Sequence, residues 1–261
     1  MGGFLIVNPR AGDDRPTPDE LVGEARSRGL ATHLLGDGED PARVARAADA
    51  EAIGIAGGDG SLAAIAEVAI ERGLPFVCVP FGTRNHFARD LGLDRTDPIG
   101  ALDAFGGDAR RIDVGYVGER LFLNNVSLGI YARLVHRRER HRRRRQALAR
   151  LRAWLIVLTH REPLGITIDG EAEESRLVLV ANNAYDLDLP TIGARERLDE
   201  GVLHLYVLRG GVDERRGERF VVDARGRRLQ AAVDGEPALL ETPLEFRIAP
   251  RALRVLVPPG S

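Results

Sequence analysis

Gly57-Gly58-Asp59-Gly60 is the stretch whose residue types most directly suggest chemistry. It sits between an apolar run, 52–56, that reads as a buried strand and an Ala-rich pattern, 61–71, that reads as a helix. A glycine-rich strand-to-helix turn aims free backbone N–H groups at one spot, with the positive end of the helix dipole behind them. That is what gripping a phosphate requires. The Asp59 carboxylate repels a bare phosphate unless a metal ion or a proton in transit offsets it, so the loop favours phosphoryl transfer over anion storage. The same residues also read as a plain tight turn with Asp59 or Ser61 as helix N-cap. Both readings stand on these residues alone.

The elements needed to position that loop are legible on either side. Strands are expected at 3–7, 31–35, 52–56 and 75–79, alternating with helices at 17–28, 41–50 and 61–71; Pro18 is well placed at a helix start. This alternation predicts an α/β domain with a parallel sheet and helices on both faces. Ligands in such folds bind beyond the carboxyl ends of the strands. Three loops should meet there: Asn8-Pro9-Arg10-Ala11-Gly12, Gly57-Gly58-Asp59-Gly60-Ser61, and Pro80-Phe81-Gly82-Thr83-Arg84-Asn85. Beyond about residue 109 the texture changes to strands at 111–115, 121–128, 164–168, 177–181, 202–208, 230–233, 244–248 and 252–257. One long helical pattern, 131–160, interrupts them. This half reads as an antiparallel β-sandwich carrying one prominent helix. Domains are therefore expected at 1–109 and 110–261, with the last strand free to return to the first.

Composition narrows the chemistry. The 37 basic residues are all Arg. Without Lys, a P-loop lysine, Schiff-base chemistry and lysine-attached cofactors are excluded. The single Cys78 lies in an apolar run and reads as a buried structural thiol. The run 4–7 is too short for a signal-peptide core, and 154–158 is far below the ~20 residues of a membrane span, so a cytoplasmic protein is expected. Net charge is −2, yet residues 130–154 hold ten Arg and one Glu. Leu148, Leu151, Leu155 and Leu158 form a helical stripe with Trp154 beside it. The helix over 137–158 reads either as packed on the sandwich with solvated arginines or as an interfacial helix on anionic lipid. No aromatic residues interleave with the arginines, so nucleic acid is not expected. His33, His136, His160 and His204 lack ligand spacing. Oligomeric state is not legible, and a homodimer stays open.

With these segments in hand, the chain resembles the bacterial diacylglycerol kinase and sphingosine kinase-like lipid kinases along nearly its whole length. The resemblance rests on Asn8-Pro9-Arg10-Ala11-Gly12, Gly57-Gly58-Asp59-Gly60-Ser61, residues 80–89, Asn124-Asn125-Val126-Ser127-Leu128-Gly129, Arg197-Leu198-Asp199-Glu200-Gly201-Val202-Leu203 and Val233-Asp234-Gly235-Glu236, in that order. It implies a nucleotide-binding α/β domain, a lipid-substrate sandwich, and transfer from ATP to a diacylglycerol-like hydroxyl with Mg²⁺ between the β- and γ-phosphates. It also implies a peripheral position at the inner membrane face. The Asn8 and Gly58 loops with Gly82, Thr83, Arg84 and Asn85 would hold ATP. Glu236 would be the base, and Asp59, the alternative base, would position the metal in an acidic network extended by Asp113. Glu200, with the carbonyls of Arg197 and Val202, matches a structural metal site, although Glu stands where the family has Asp. From the residues alone, Asp234-Gly235 also reads as a hairpin turn with Glu236 merely exposed. His86 replaces an Asp of the family pattern and Arg84 a small residue. Those changes leave three readings: an active lipid kinase, a soluble kinase of the NAD kinase type, and an inactive nucleotide- or lipid-binding paralogue.

Overall fold

In the computed structural model, residues 2–12, 16–83, 85–129, 164–175, 177–186, 193–209 and 211–260 are described. The expected long helix, including 137–158, and Arg84 lie outside them. The chain forms two compact units: Met1–Val114 with Asp186–Glu200 and Pro250–Ser261, and Gly115–Tyr185 with Gly201–Ala249. Asp186 and residues 193–200, which the sequence reading places with the second half, therefore pack with the first unit. Ion pairs and a backbone hydrogen bond hold them there, and contacts of that range leave no local pattern.

In the first unit, β1 (Gly3–Val7), β2 (Ala31–Leu34), β3 (Ala52–Gly57) and β4 (Phe76–Pro80) run in the order β2-β1-β3-β4. Every neighbouring pair is parallel. β3 and β4 are buried throughout, which explains their unbroken apolar runs; a strand covered on both faces has no solvent side for polar residues. Strand β16 (Leu244–Val257) adds its C-terminal end beside β4 in parallel, with Val255 opposite Phe76.

Three helices connect these strands. Helix α1 (Pro18–Ser27) opens on a capping box: the Glu20 N–H donates to Thr17 Oγ1 at 3.2 Å, and the Thr17 N–H donates to Glu20 Oε2 at 2.7 Å. In α2 (Pro41–Ala47), Asp40 caps the Ala42 N–H. Helix α3 (Asp59–Arg72) ends at Gly73 in the left-handed conformation.

Phe105 packs against the backbone of the central strands, where a side chain on Gly54 would bring Cβ to 2.6 Å from its ring. The Phe105 ring thus fills the space above a residue that must lack a side chain. Gly54→Ala is expected to cost about 1–3 kcal/mol by overpacking. Urea unfolding would check this, and Phe105→Leu in the same chain should recover part of the loss.

The second unit is a β-sandwich. Its six-stranded antiparallel sheet runs β12 (Val212–Gly217), β11 (Leu203–Leu208), β10 (Leu177–Asn182), β7 (Asn125–Gly129), β14 (Arg228–Val233), β15 (Glu236–Glu241). The opposing layer contains β8 (Ile166–Ile168), β9 (Glu171–Glu173), β13 (Arg219–Ala224) and the N-terminal half of β16. Val126, Leu128, Val180 and Leu205 from one layer share a core with Ile168, Val222, Leu244 and Phe246 from the other. Strand β5 (Asp108–Val117) pairs with β6 (Arg120–Phe122).

Several expectations are corrected. The single strand expected at 121–128 is two, β6 and β7, because the N–H groups of Leu123, Asn124 and Asn125 turn to the Asp234 carboxylate at 2.8, 2.7 and 3.1 Å. The two strands expected at 244–248 and 252–257 are one, β16. Arg251 sits within it at φ +51°, held by donating its N–H to Asp113 Oδ1 at 2.8 Å. The charged strand β12 was not expected, since an edge strand carries charge that hides its pairing.

Buried Glu173 on β9 accepts from Arg209 Nε and Nη2, both at 2.5 Å, and from Arg215 Nη2 at 3.1 Å. The Arg209 hydrogen bond, acting against burial, holds its carboxyl below the ordinary 4.5. A depressed carboxyl stabilises the fold above its unfolded value, and that contribution is lost as pH falls through the native one. Glu173→Gln should therefore cost about 1–3 kcal/mol at neutral pH. The gap to the parent should close as urea titrations move below pH 4.5.

Candidate active site

The three loops lie in the first unit and touch one another there. In the first, the Asn8 N–H donates to the Ala56 carbonyl at 2.9 Å. The Arg10 N–H donates to Asn8 Oδ1 and the Ala11 N–H to the Asn8 carbonyl, both at 3.1 Å. Asn8 thus ties the loop to β3 and closes the turn through Pro9. The Arg10 guanidinium pairs with Asp37. A Cβ on Gly12 would lie 2.6 Å from the Phe81 ring, so the first loop packs on the third.

The second loop differs from the simple turn reading in one respect. The N-cap of α3 is Gly58, not Asp59 or Ser61, and it has no side chain with which to cap. Ser61 instead donates through Oγ to the Gly58 carbonyl at 2.8 Å. The N–H groups of Asp59 and Gly60 thus stand without a side-chain cap at the positive end of a 14-residue helix. Gly57, the last residue of β3, accepts the Phe81 N–H at 3.3 Å.

In the third loop, a Cβ on Gly82 would stand 2.5 Å from the Gly58 Cα, so the two backbones meet where only glycine fits. Asn85, buried and at φ +47°, folds its amide back on the turn. Its Oδ1 accepts the Gly82 N–H at 2.9 Å and its Nδ2 donates to the Gly82 carbonyl at 2.7 Å. The Thr83 side chain is exposed. A short helix the sequence reading missed, α4 (His86–Asp90), follows. The Asp59 carboxylate accepts at its start: Oδ2 from the His86 N–H and Oδ1 from the Phe87 N–H, each at 3.1 Å. Asp59 thereby fastens the second loop to the third. Buried Cys78 has its thiol pushed well up, chiefly by burial and further by the Asp59 charge, so it is unreactive.

The remaining candidates belong to other segments of the chain. Asp113 is fully buried; its N–H donates to the Leu198 carbonyl at 2.7 Å and its carboxylate holds Arg251. Glu236 belongs to the second unit, at the exposed start of β15. It follows the two-residue hairpin turn Asp234-Gly235, whose φ values are +49° and +84°. Glu200 and Arg197 fall in the first unit and Val202 in the second; the Arg197 guanidinium pairs with Asp199, and the Val202 carbonyl accepts the Asn183 N–H. Among the described residues, no three His, Cys, Asp or Glu cluster as metal ligands. Two roles went unread from sequence. Asp234 works as a three-fold N–H acceptor, for which an Asp before Gly at a hairpin was the available hint. Asp90 and Arg195 form a buried ion pair that no spacing signals.

Comparison with known proteins fits this geometry. The description "Diacylglycerol kinase catalytic domain" matches residues 3–117. A Pseudomonas fluorescens protein named "Probable lipid kinase YegS-like" is 40% identical over 100 residues, covering 38% of this chain and 33% of that protein. The diacylglycerol kinase of Bacillus subtilis is 33% identical over 109 residues, covering 41% and 36%. The matched stretch thus spans about a third of these relatives' lengths. A crystal structure of a diacylglycerol kinase from Bacillus anthracis superposes with a TM-score of 0.71 at 17% identity, covering 98% of this chain and 96% of that one, which shows a shared fold. Residues 3–117 of the chain are therefore similar to the diacylglycerol kinase catalytic domain family.

Proposed function

We propose that this protein is a kinase that transfers the γ-phosphoryl group of ATP to a lipid hydroxyl of the diacylglycerol type at a membrane surface. The observation that carries the reading is the glycine-to-glycine contact between the Gly58 and Gly82 loops, closed by the Asp59 carboxylate on α4. It leaves the Asp59 and Gly60 N–H groups of α3 without a side-chain cap, in a site where Thr83 is exposed. Backbone donors at a helix N-terminus suit the phosphates of a nucleotide. Asn8, Gly12 and Arg10 complete the cradle, and Arg10 would exchange Asp37 for a phosphate oxygen.

In the reaction, the acceptor oxygen forms a bond to the γ-phosphorus while the bond to the β–γ bridging oxygen breaks, releasing ADP. Glu236, exposed at the start of β15, would take the hydroxyl proton. Each Asp59 oxygen accepts one N–H and keeps a lone pair, a donor set that suits a hydrated Mg²⁺. Bound there, Mg²⁺ would neutralise phosphate charge. The arginine-rich 137–158 stretch supplies cationic charge for an anionic lipid surface. Among the described residues, no helix is long and apolar enough to cross a membrane.

The test is transfer of label from γ-labelled ATP to a total lipid extract, with NAD as a parallel acceptor. A labelled phospholipid that disappears in Glu236→Ala is expected; label on NAD alone, or on neither, overturns the reading. Gly82→Ala, which forces a Cβ against the Gly58 backbone, should weaken ATP binding at least about tenfold, or ~1.4 kcal/mol. Calorimetric titration with a non-hydrolysable ATP analogue reads that directly.

A further inference from the structure

Helix α4 has five residues, too few to hold its own shape in water. Its position is imposed at three points. At its start, Asp59 accepts the His86 and Phe87 N–H groups. On its inner side, Phe87 is fully buried, with its ring 6.4 Å from that of Phe76. At its end, the side chain of Asp90 is 1% exposed and that of Arg195 0%, with Arg195 Nε donating to Asp90 Oδ2 at 2.8 Å. Arg89 reinforces this end, pairing with Asp90 at 2.7 Å and donating to the Gly193 carbonyl at 2.6 Å. Arg195 thus reaches α4 across 105 positions of sequence, from a segment that is itself fastened where Leu198 accepts the Asp113 N–H.

We infer that Arg195, acting through Asp90, is a positioning residue for the phosphate-gripping loops. Asn85 is the N-cap of α4 and holds Gly82 by both its N–H and its carbonyl. Gly82 in turn abuts Gly58 with no spare room. A shift of α4 is therefore passed to the gap between the two loops. A buried ion pair contributes little net stability compared with apolar residues of the same shape, and the role we infer for this one is to fix the arrangement of its partners. Here the arrangement specified is the register of α4. This inference rests on the kinase reading for its catalytic consequence and on geometry alone for its structural one.

The test separates the two. Arg195→Met alone takes the guanidinium from Asp90 Oδ2, leaves Arg89 on Oδ1, and is expected to destabilise the fold. The informative protein is the double variant Asp90→Leu/Arg195→Met, which removes both fully buried charges and leaves Arg89, 27% exposed, to water and the Gly193 carbonyl. It should fold, with a circular dichroism spectrum like that of the parent. Amide exchange across residues 82–90 should accelerate at least about tenfold in it, since the hydrogen bonds there lose a fixed frame. Its KM for ATP should rise at least about tenfold while kcat changes less than about threefold, because donor seating, not the transferring group, is disturbed. A second double variant, Asp90→Glu/Arg195→Lys, keeps the charges and should recover part of the KM. If the folded Leu/Met variant exchanges like the parent across residues 82–90, the inference is overturned whatever the activity. If exchange accelerates but the parent phosphorylates no lipid, the kinase reading fails and the positioning role stands. Accelerated exchange with an unchanged KM in an active enzyme overturns the catalytic part.

Discussion

Asp59→Asn should abolish measurable lipid phosphorylation, lowering kcat/KM by more than about a hundredfold, and should also loosen the first unit. The carboxylate accepts two backbone N–H groups, one on each oxygen. An Asn side chain supplies one acceptor and turns an NH2 toward the other N–H. Hydrogen bonds to a charged acceptor contribute about 1.5–3 kcal/mol each, and the mismatched donor adds a desolvation cost, so roughly 2–4 kcal/mol is at stake. A thermal midpoint lower by roughly 5–10 °C follows for a unit of this size. Asp59→Glu separates structure from chemistry: it keeps the charge but displaces the oxygens by one methylene from the two N–H groups of α4. If Asp59→Asn keeps the parental midpoint, the fastening role is wrong. If it keeps activity, the placement of Asp59 in the site is wrong.

The second large effect is expected at Asp234. This residue, 8% exposed, receives the N–H groups of Leu123, Asn124 and Asn125. It also occupies the first position of a two-residue hairpin turn at φ +49°. Asn tolerates that backbone and is favoured before Gly, so Asp234→Asn leaves the turn intact and isolates the carboxylate. The expected cost is about 2–4 kcal/mol, read as a lower urea midpoint of the second unit. Asp234→Ala adds turn strain and should cost more. Glu236 follows the turn directly, so lipid phosphorylation should fall further than stability alone accounts for. That is measured as residual kcat under conditions where the variant is fully folded. Equal stability of Asp234→Asn and parent would show that the three N–H groups find other partners.

The contrast between β3 and β12 explains what was legible. The β3 sequence is apolar throughout because both faces are covered, so composition reports it directly. In β12 every interior position from Asp213 to Arg216 is charged, and only its pairing with β11 makes it a strand. The break at Leu123-Asn124 was likewise invisible: nothing local announces that three N–H groups will turn to a carboxylate 109 to 111 positions away. The site shows the same division. Gly82 was readable as a position with no substitute, since a Cβ there would stand 2.5 Å from the Gly58 Cα, whereas a Cβ on Gly57 would meet the Ser61 hydroxyl and one on Gly58 would have ordinary contact room. Of the two readings left open for the second loop, the one with Asp59 or Ser61 as N-cap does not hold, because Gly58 is the N-cap and Asp59 serves the start of α4 instead.

Chain order and residue type alone determined the alternation of strands and helices, the turn between β3 and α3, and the loops at the carboxyl ends of the strands. These depend on periodicity and backbone freedom, which act over a few residues. Only the tertiary structure decided that Asp59 fastens two loops, that Arg195 reaches Asp90, that Asp186 and residues 193–200 pack with the first unit, and that Asp113 and Asp234 hold backbone rather than standing free. The physical reason is common to all four. A carboxylate or guanidinium withdrawn from water must find its partner wherever folding delivers one, and that partner's place along the chain carries no local signal.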